Sequence, residues 1–224
     1  MHKLLVAFTF TTVFALHSAA NAATISVSPA GQLSNGGVVA TFDSLTQTPY
    51  GQTTAAGPFT DGGASFSGTG LIMKNPGQNP LGLYAQPAHD TTNYLAVLGG
   101  QSETITYSGE RHHFGLYWGS IDAYNTITFY NKGSAVLAFN GSDLTSLVPN
   151  GNQTSDDSNR YVNFSNLIFD KVVLSSSQNS FEADNITAGV PELSTWMMML
   201  TGFAGLGLVA RRRAKTAALA SRLA

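Results

Sequence analysis

Cysteine is absent from this 224-residue chain, which excludes a disulfide framework and thiolate metal sites. Charge is scarce, with Asp, Glu, Lys and Arg making up 11% of residues and a formal net charge of −2. Between Ala23 and Gly189 basic residues are scarcer still. Only Lys74, Arg111, Lys132, Arg160 and Lys171 stand there against twelve acids, a balance of −7. That argues against nucleic acid, whose binding draws on clustered Lys and Arg, and leaves cations and neutral polymers open. There is no Gly-x-Ser-x-Gly elbow, no phosphate loop and no Gly-x-Gly-x-x-Gly turn. Amphipathic helical periodicity is missing from the middle of the chain, and long apolar runs occur only at its two ends.

Those two runs are addresses. Lys3 followed by the apolar stretch Leu4–Leu16 and the small-residue pattern Ala20-Asn21-Ala22 predicts a signal peptide over 1–22, removed after Ala22. At the other end Val190-Pro191-Glu192-Leu193-Ser194-Thr195-Trp196 introduces a segment whose only polar side chain up to Ala210 is Thr201. Arg211, Arg212, Arg213 and Lys215 follow at once. Pro191 ends the preceding element, because it fixes φ and offers no amide donor. An aromatic at one end of an apolar segment and a positive cluster at the other are membrane anchors. The segment Trp196–Ala210 rises only about 22 Å as a helix against a hydrocarbon core of roughly 30 Å. Starting it at Ser194 and letting the arginines snorkel brings it close to spanning, so a short transmembrane helix is expected over 194–210. Gly202, Ala204, Gly205 and Gly207 make one face small enough for close packing inside another membrane protein.

The run Val190-Pro191-Glu192-x-x-x-Trp196, the short Met/Gly/Ala/Leu-rich span and the terminal arginines resemble the PEP-CTERM sorting signal in its Trp-containing variant. Leu193 and Met197 depart from the usual family residues, a second Pro and an Ala. The resemblance covers residues 190–215 and leaves 216–224 as a cytoplasmic tail. It implies export through the Sec machinery and signal peptidase in a Gram-negative bacterium, with the precursor anchored in the inner membrane. Exosortase would then cleave near Pro-Glu and pass the mature protein to the cell surface or the extracellular matrix.

The intervening residues 23–189 predict one all-β domain, large enough for a single core. Strands are expected at Thr24–Ser28, Gly37–Phe42, Ala64–Ser67, Leu71–Met73, Tyr94–Leu98, Glu103–Tyr107, His113–Trp118, Asn125–Tyr130, Ala135–Phe139, Arg160–Asn163, Lys171–Ser175 and Phe181–Thr187. Gly99-Gly100 and Asn131-Lys132-Gly133 read as hairpin turns, Leu144–Leu147 as a helical turn, and Gln47–Gly63 and Lys74–Asn93 as long loops. Short strands separated by frequent turns predict a β-sandwich, and a jelly roll before a barrel. The stretch from Phe114 to Asn125 and the closing Phe181-Glu182-Ala183-Asp184-Asn185-Ile186 resemble a group of PEP-CTERM surface proteins of unassigned function. The resemblance implies a lectin-like jelly roll over residues 36–189, without enzymatic activity.

Two candidate sites follow from the residues. Terminal strands of a jelly roll commonly pair, which would bring Asp43 to Glu182 and Asp184 as hard oxygen ligands for Ca2+; otherwise these acids cap turns. No other cofactor is expected. Trp118, Asp122, Tyr124 and Asn125, with Tyr117 and Tyr130 nearby, could offer a platform for sugar rings. Tyr117 and Trp118 are strand neighbours and must face opposite ways, so at most one belongs to it. His112 and His113 point apart for the same reason, and neither they nor His89 has the spacing of a zinc site. The expected function is a surface or matrix protein without catalysis; a carbohydrate-binding module and a secreted hydrolase remain open. Polysaccharide is the expected partner beyond the export and sorting machinery.

Overall fold

The computed structural model describes residues 22–29, 38–49, 51–74, 82–144, 147, 149–190 and 198–207. Among the described residues eleven strands run in chain order. They are β1 (Thr24–Ser28), β2 (Val38–Ala40), β3 (Phe59–Asp61), β4 (Ala64–Gly68), β5 (Leu71–Met73) and β6 (Tyr94–Val97), then β7 (Gln101–Gly119), β8 (Asn125–Asn131), β9 (Ser134–Asn140), β10 (Arg160–Ser176) and β11 (Phe181–Gly189). All belong to one hydrogen-bonded sheet, and every pairing is antiparallel.

Two long strands organise the sheet. The first part of β7 lies between β4 and β10, and its second part between β10 and β11. β10 likewise pairs with β1 near its start and with β8 near its end, with register shifts between Ser165, Phe169 and Lys171. Each was expected as two separate strands. The polar stretches that suggested breaks, Ser108–His112 and Ser165–Asn166, are exposed or half-buried passages where the strands cross between the two halves of the sheet. A strand that alternates at both ends and is solvated in the middle looks like two strands from composition alone.

The two halves face one another, giving a sandwich-like all-β arrangement. Phe129 of β8, in one half, lies 5.4 Å from Phe114 of β7 and 5.0 Å from Phe164 of β10, in the other. Phe139 and Phe169 extend this cluster, and Phe42, Phe59 and Phe66 form a second knot beside it. Trp118 stacks on Phe181 at 4.8 Å in the same core. Such ring pairs contribute roughly 0.5–1.5 kcal/mol beyond the area they bury.

Several local expectations change. β3 lies inside the expected loop 47–63, because Phe59 packs on Phe66 across the β3–β4 hairpin. The Asn131-Lys132-Gly133 hairpin forms, with Lys132 and Gly133 both at positive φ as a tight β8–β9 turn requires. Gly99-Gly100 makes a tight turn without a hairpin. β6 is already paired on one side with β5 and on the other with β11, so it has no edge left for β7. The helical turn is a 3-10 turn at Gly141–Asp143, ahead of the expected Leu144–Leu147 and capped by Asn140.

Of the two expected targeting segments the described residues include little. Positions 1–21 and the motif residues Pro191, Glu192, Trp196, Arg211, Arg212 and Arg213 lie outside them. Val190 is exposed, and 198–207 is helical with every residue exposed, including Met198, Phe203 and Leu206. Among the described residues no helix is long and apolar enough to cross a membrane.

Candidate functional site

The site is built on the outer face of one sheet half. In β11 the side chains of Phe181 and Ala183 enter the aromatic core, so Glu182 and Asp184 point the other way. Asn185, at φ +50°, then inserts a bulge, and Ile186 and Ala188 return to the core. Asp184 stands opposite Tyr117 and Glu182 opposite Gly119 on β7. This polar face is covered by the segment 82–93. Gly119 gives it room, since a Cβ there would stand 2.8 Å from Pro87.

That segment is fixed by its backbone. The Ala85 N–H donates to Glu182 Oε1 at 2.9 Å, the Ala88 N–H donates to Asn159 Oδ1 at 2.9 Å, and the Tyr117 hydroxyl donates to the Ala88 carbonyl. At its end Asn93 donates through its side-chain amide to the carbonyls of Phe42 and Leu45, while its N–H donates to Asp43 Oδ1 at 3.1 Å. A Pro-containing stretch without strand or helix is thereby immobilised against the sheet.

Glu182 is 2% exposed, and its carboxylate also accepts from the hydroxyls of Ser120 and Ser180. Burial pushes its carboxyl up to about 7 despite these three donors. Asp184 is fully buried with fewer partners. Its Oδ2 accepts from Asn185 Nδ2 at 2.9 Å and faces Thr92 Oγ1 at 3.4 Å, while Oδ1 has no partner. Asp90 is half-buried; its Oδ1 accepts from Thr92 N–H at 2.8 Å and Thr92 Oγ1 at 2.6 Å, and its buried Oδ2 has no partner. Burial raises both carboxyls above the usual range, and the negative charges of Asp90 and Asp43 raise Asp184 further. Phe42, His89 and Asn185 are non-glycine residues at positive φ, and each adjoins one of the three acids Asp43, Asp90 and Asp184. Backbone strain of this kind clusters at functional sites.

Beside Asp90 opens a cavity of about 580 Å3, which Asp184 adjoins through Thr92 and Asn185 without lining it. His89-Asp90-Thr91-Thr92 contribute one side of it, Tyr117 and Asn185 come from the sheet, and Asp156, Arg160 and Pro29 complete it. His89 Nε2 lies 2.7 Å from Asp156 Oδ1 at the exposed rim, and Arg160 bonds Asp157 at 3.2 Å. Carboxylates, hydroxyls, an amide and a guanidinium in one lining offer both donors and acceptors, which suits a neutral polyhydroxylated ligand.

The expected site residues are only partly assembled here. Asp43 and Asp184 do come near, through β2–β11 pairing of Ala40 with Ile186. Glu182 faces the same side, but its oxygens are taken by protein donors, and among the described residues no three His, Asp or Glu side chains are grouped as metal ligands. The expected glycan platform does not form. Trp118 is fully buried against Phe181, and Asn125 is fully buried between Ser176 and Ser180. Asp122 is also buried, and Tyr124 donates to the Asn179 carbonyl. Strand alternation places Tyr117, not Trp118, on the outer face. Asp90, Thr92, Asp156 and Arg160 were not singled out from the sequence. His89-Asp90-Thr91-Thr92, a polar run flanked by Pro87 and Tyr94, was the signal available.

No protein-family model matches the chain, and no curated protein does. Among solved structures it is similar to the catalytic domain of a GH87 alpha-1,3-glucanase in complex with tetrasaccharides, at 14% identity and a TM-score of 0.34 over 62% of this chain. It is also similar to the enzymatically active domain of bacteriophage CBA120 tailspike protein 4, at 12% identity and a TM-score of 0.27 over 58%. The chain spans 29% and 19% of the lengths of those two. The expectation of a surface protein without catalysis is corrected by this finding. Both neighbours are enzyme domains. At these TM-scores the likeness assigns no reaction to this chain.

Proposed function

We propose that residues 23–189 form a jelly-roll-like, carbohydrate-active domain that receives a polysaccharide segment in the cleft between His89–Thr92 and Arg160. The polar cleft beside the Asp90–Asp184 pair carries this reading. Asp90, Asp156 and Asn185 would accept hydrogen bonds from sugar hydroxyls, Arg160 and the Thr91 hydroxyl would donate, and Tyr117 would offer the edge of its ring. The twelve acids against five basic residues favour a neutral polymer over an acidic one. The test is a screen of neutral polysaccharides that reads both retention and release of reducing ends. Asp156→Ala and Arg160→Ala should each weaken retention about tenfold or more, as expected for removal of one charged hydrogen-bonding group. Equal retention by wild type and both variants would move the ligand elsewhere.

The tail supports delivery to the cell surface. A helix of exposed Met, Leu and Phe lies at 198–207, and the residues around it in sequence resemble a sorting signal. On this reading the chain is exported, anchored in the inner membrane as a precursor, and released near Pro191-Glu192 by exosortase. A mature mass beginning near Ala23 and ending near residue 190 in the native host would agree; a surface form that retains Arg211–Arg213 would overturn it.

A further inference from the structure

Asp90 and Asp184 approach the same hydroxyl from two distant parts of the chain. Thr92 Oγ1 lies 2.6 Å from Asp90 Oδ1 and 3.4 Å from Asp184 Oδ2. One hydroxyl carries one proton, so it cannot serve both carboxylates as a donor. Each acid also keeps one buried oxygen without a well-formed hydrogen bond, Asp90 Oδ2 and Asp184 Oδ1, although the neighbouring Thr91 and Asn185 amides partly offset the burial of their carboxyls. Asp184 is completely buried beside the cavity that Asp90, Thr92 and Asn185 line. Leaving a charged acceptor unsatisfied in such a place is strongly unfavourable. Glu182, two residues earlier on the same strand, shows that this fold can satisfy a buried carboxylate fully with two hydroxyls and an amide. At Asp184 it does not.

We propose that Asp90 and Asp184 together bind a hard divalent cation, Ca2+, at the inner end of the cleft. The orphan oxygens Asp90 Oδ2 and Asp184 Oδ1 are its protein ligands. Asp43, whose charge both acids feel, adds to the attracting field. With no third acidic side chain grouped among the described residues, water or ligand hydroxyls fill the remaining positions of a six- to eight-coordinate ion. Asp90, Thr92 and Asn185 line the cavity, so those positions open toward a bound ligand. Coordination of sugar hydroxyls deepens, and rests on, the carbohydrate reading above; binding of the cation itself does not. Few protein ligands place the affinity in the range of extracellular modules, roughly 0.1–1 mM.

The test uses the full chain in mild detergent, stripped of metal with chelator and then titrated with CaCl2 alone. Melting and calorimetric titration are recorded at neutral pH, with MgCl2 as comparison. About 10 mM Ca2+ is expected to raise Tm by roughly 4–8 °C, with a smaller effect from Mg2+. Asp90→Asn, at the half-exposed position, should abolish most of this shift while still folding, and Asp184→Asn should abolish it as well. No Ca2+-dependent shift in the wild type, or an undiminished shift in Asp90→Asn, overturns the proposal and leaves the pair sharing a proton instead. Ca2+ binding without polysaccharide retention would keep the cation and remove the carbohydrate reading. Retention unchanged by chelator, with no Ca2+ shift, would do the reverse.

Discussion

Glu182 and Asp184 lie two residues apart on one strand, face the same way and are both buried, yet their surroundings are opposite. Glu182 is closed off by Ser120, Ser180 and the Ala85 amide. Asp184 meets another acid across a single threonine and keeps an oxygen without a partner. The first arrangement ties the 82–93 segment to the sheet. The second stores an unmet demand beside a cavity. Burial alone therefore does not separate a structural carboxylate from a functional one, and neither does a missing donor, since Glu103 Oε1 is also buried without a partner; the adjoining cavity and the second acid set Asp184 apart.

The sharpest break of this comparison lies outside both residues. Trp118→Ala on the core face should destabilise by about 4 kcal/mol in chemical denaturation, since it removes the ring stacked on Phe181. If the outer face dominated folding instead, the cost would fall well below that. Glu182→Ala should cost roughly 3 kcal/mol, because two hydroxyls and an amide lose a buried acceptor; Glu182→Gln should recover most of it. Equal losses for Ala and Gln would mean that charge, not hydrogen bonding, holds the segment.

Glu103 offers a control away from the cleft. Its Oε2 accepts from the Gly70 N–H at 2.8 Å, and burial pushes its carboxyl from 4.5 up to about 7. Below about pH 4.5 it is neutral whether folded or unfolded. Between about 4.5 and 7 the folded state holds a proton that the unfolded chain has released, so stability falls as pH rises through that window and stays lower above it. Glu103→Gln should therefore gain roughly 1–3 kcal/mol at pH 8 and nothing at pH 4, with part of the slope surviving through Glu182. A pH-independent effect of the substitution would refute this assignment. The smallest effect should come from Asp184→Asn without metal: a change within about 1 kcal/mol, on the stabilising side, because it removes repulsion with Asp90. A loss comparable to Glu182→Ala would make Asp184 structural too.

The strands were legible because alternation is local. Leu71–Met73, Asn125–Tyr130 and the Lys132-Gly133 turn appear in the structure nearly where their residues placed them. The opposite facing of Tyr117 and Trp118 follows from the pleat alone, although Trp118, the expected binding residue, enters the aromatic core and Tyr117 is itself buried on the other face. The continuity of β7 and β10 was hidden, because their solvated middles carry the same residues as loops. The Asp90 side of the site was hidden more deeply. Asp90 sits in a segment with no periodicity, and its partner Asp184 is reached only when that segment is laid over β11.

The sequence by itself therefore determined the all-β class, most strand positions, the alternation of faces and the two terminal segments that resemble targeting signals, since each depends on neighbours in the chain. Tertiary structure alone decided which aromatic enters the core, why Gly99-Gly100 does not make a hairpin, and which two acids of the twelve share one hydroxyl. Those outcomes depend on which edges and donors remain free after the sheet closes, and no stretch of residues carries that information on its own.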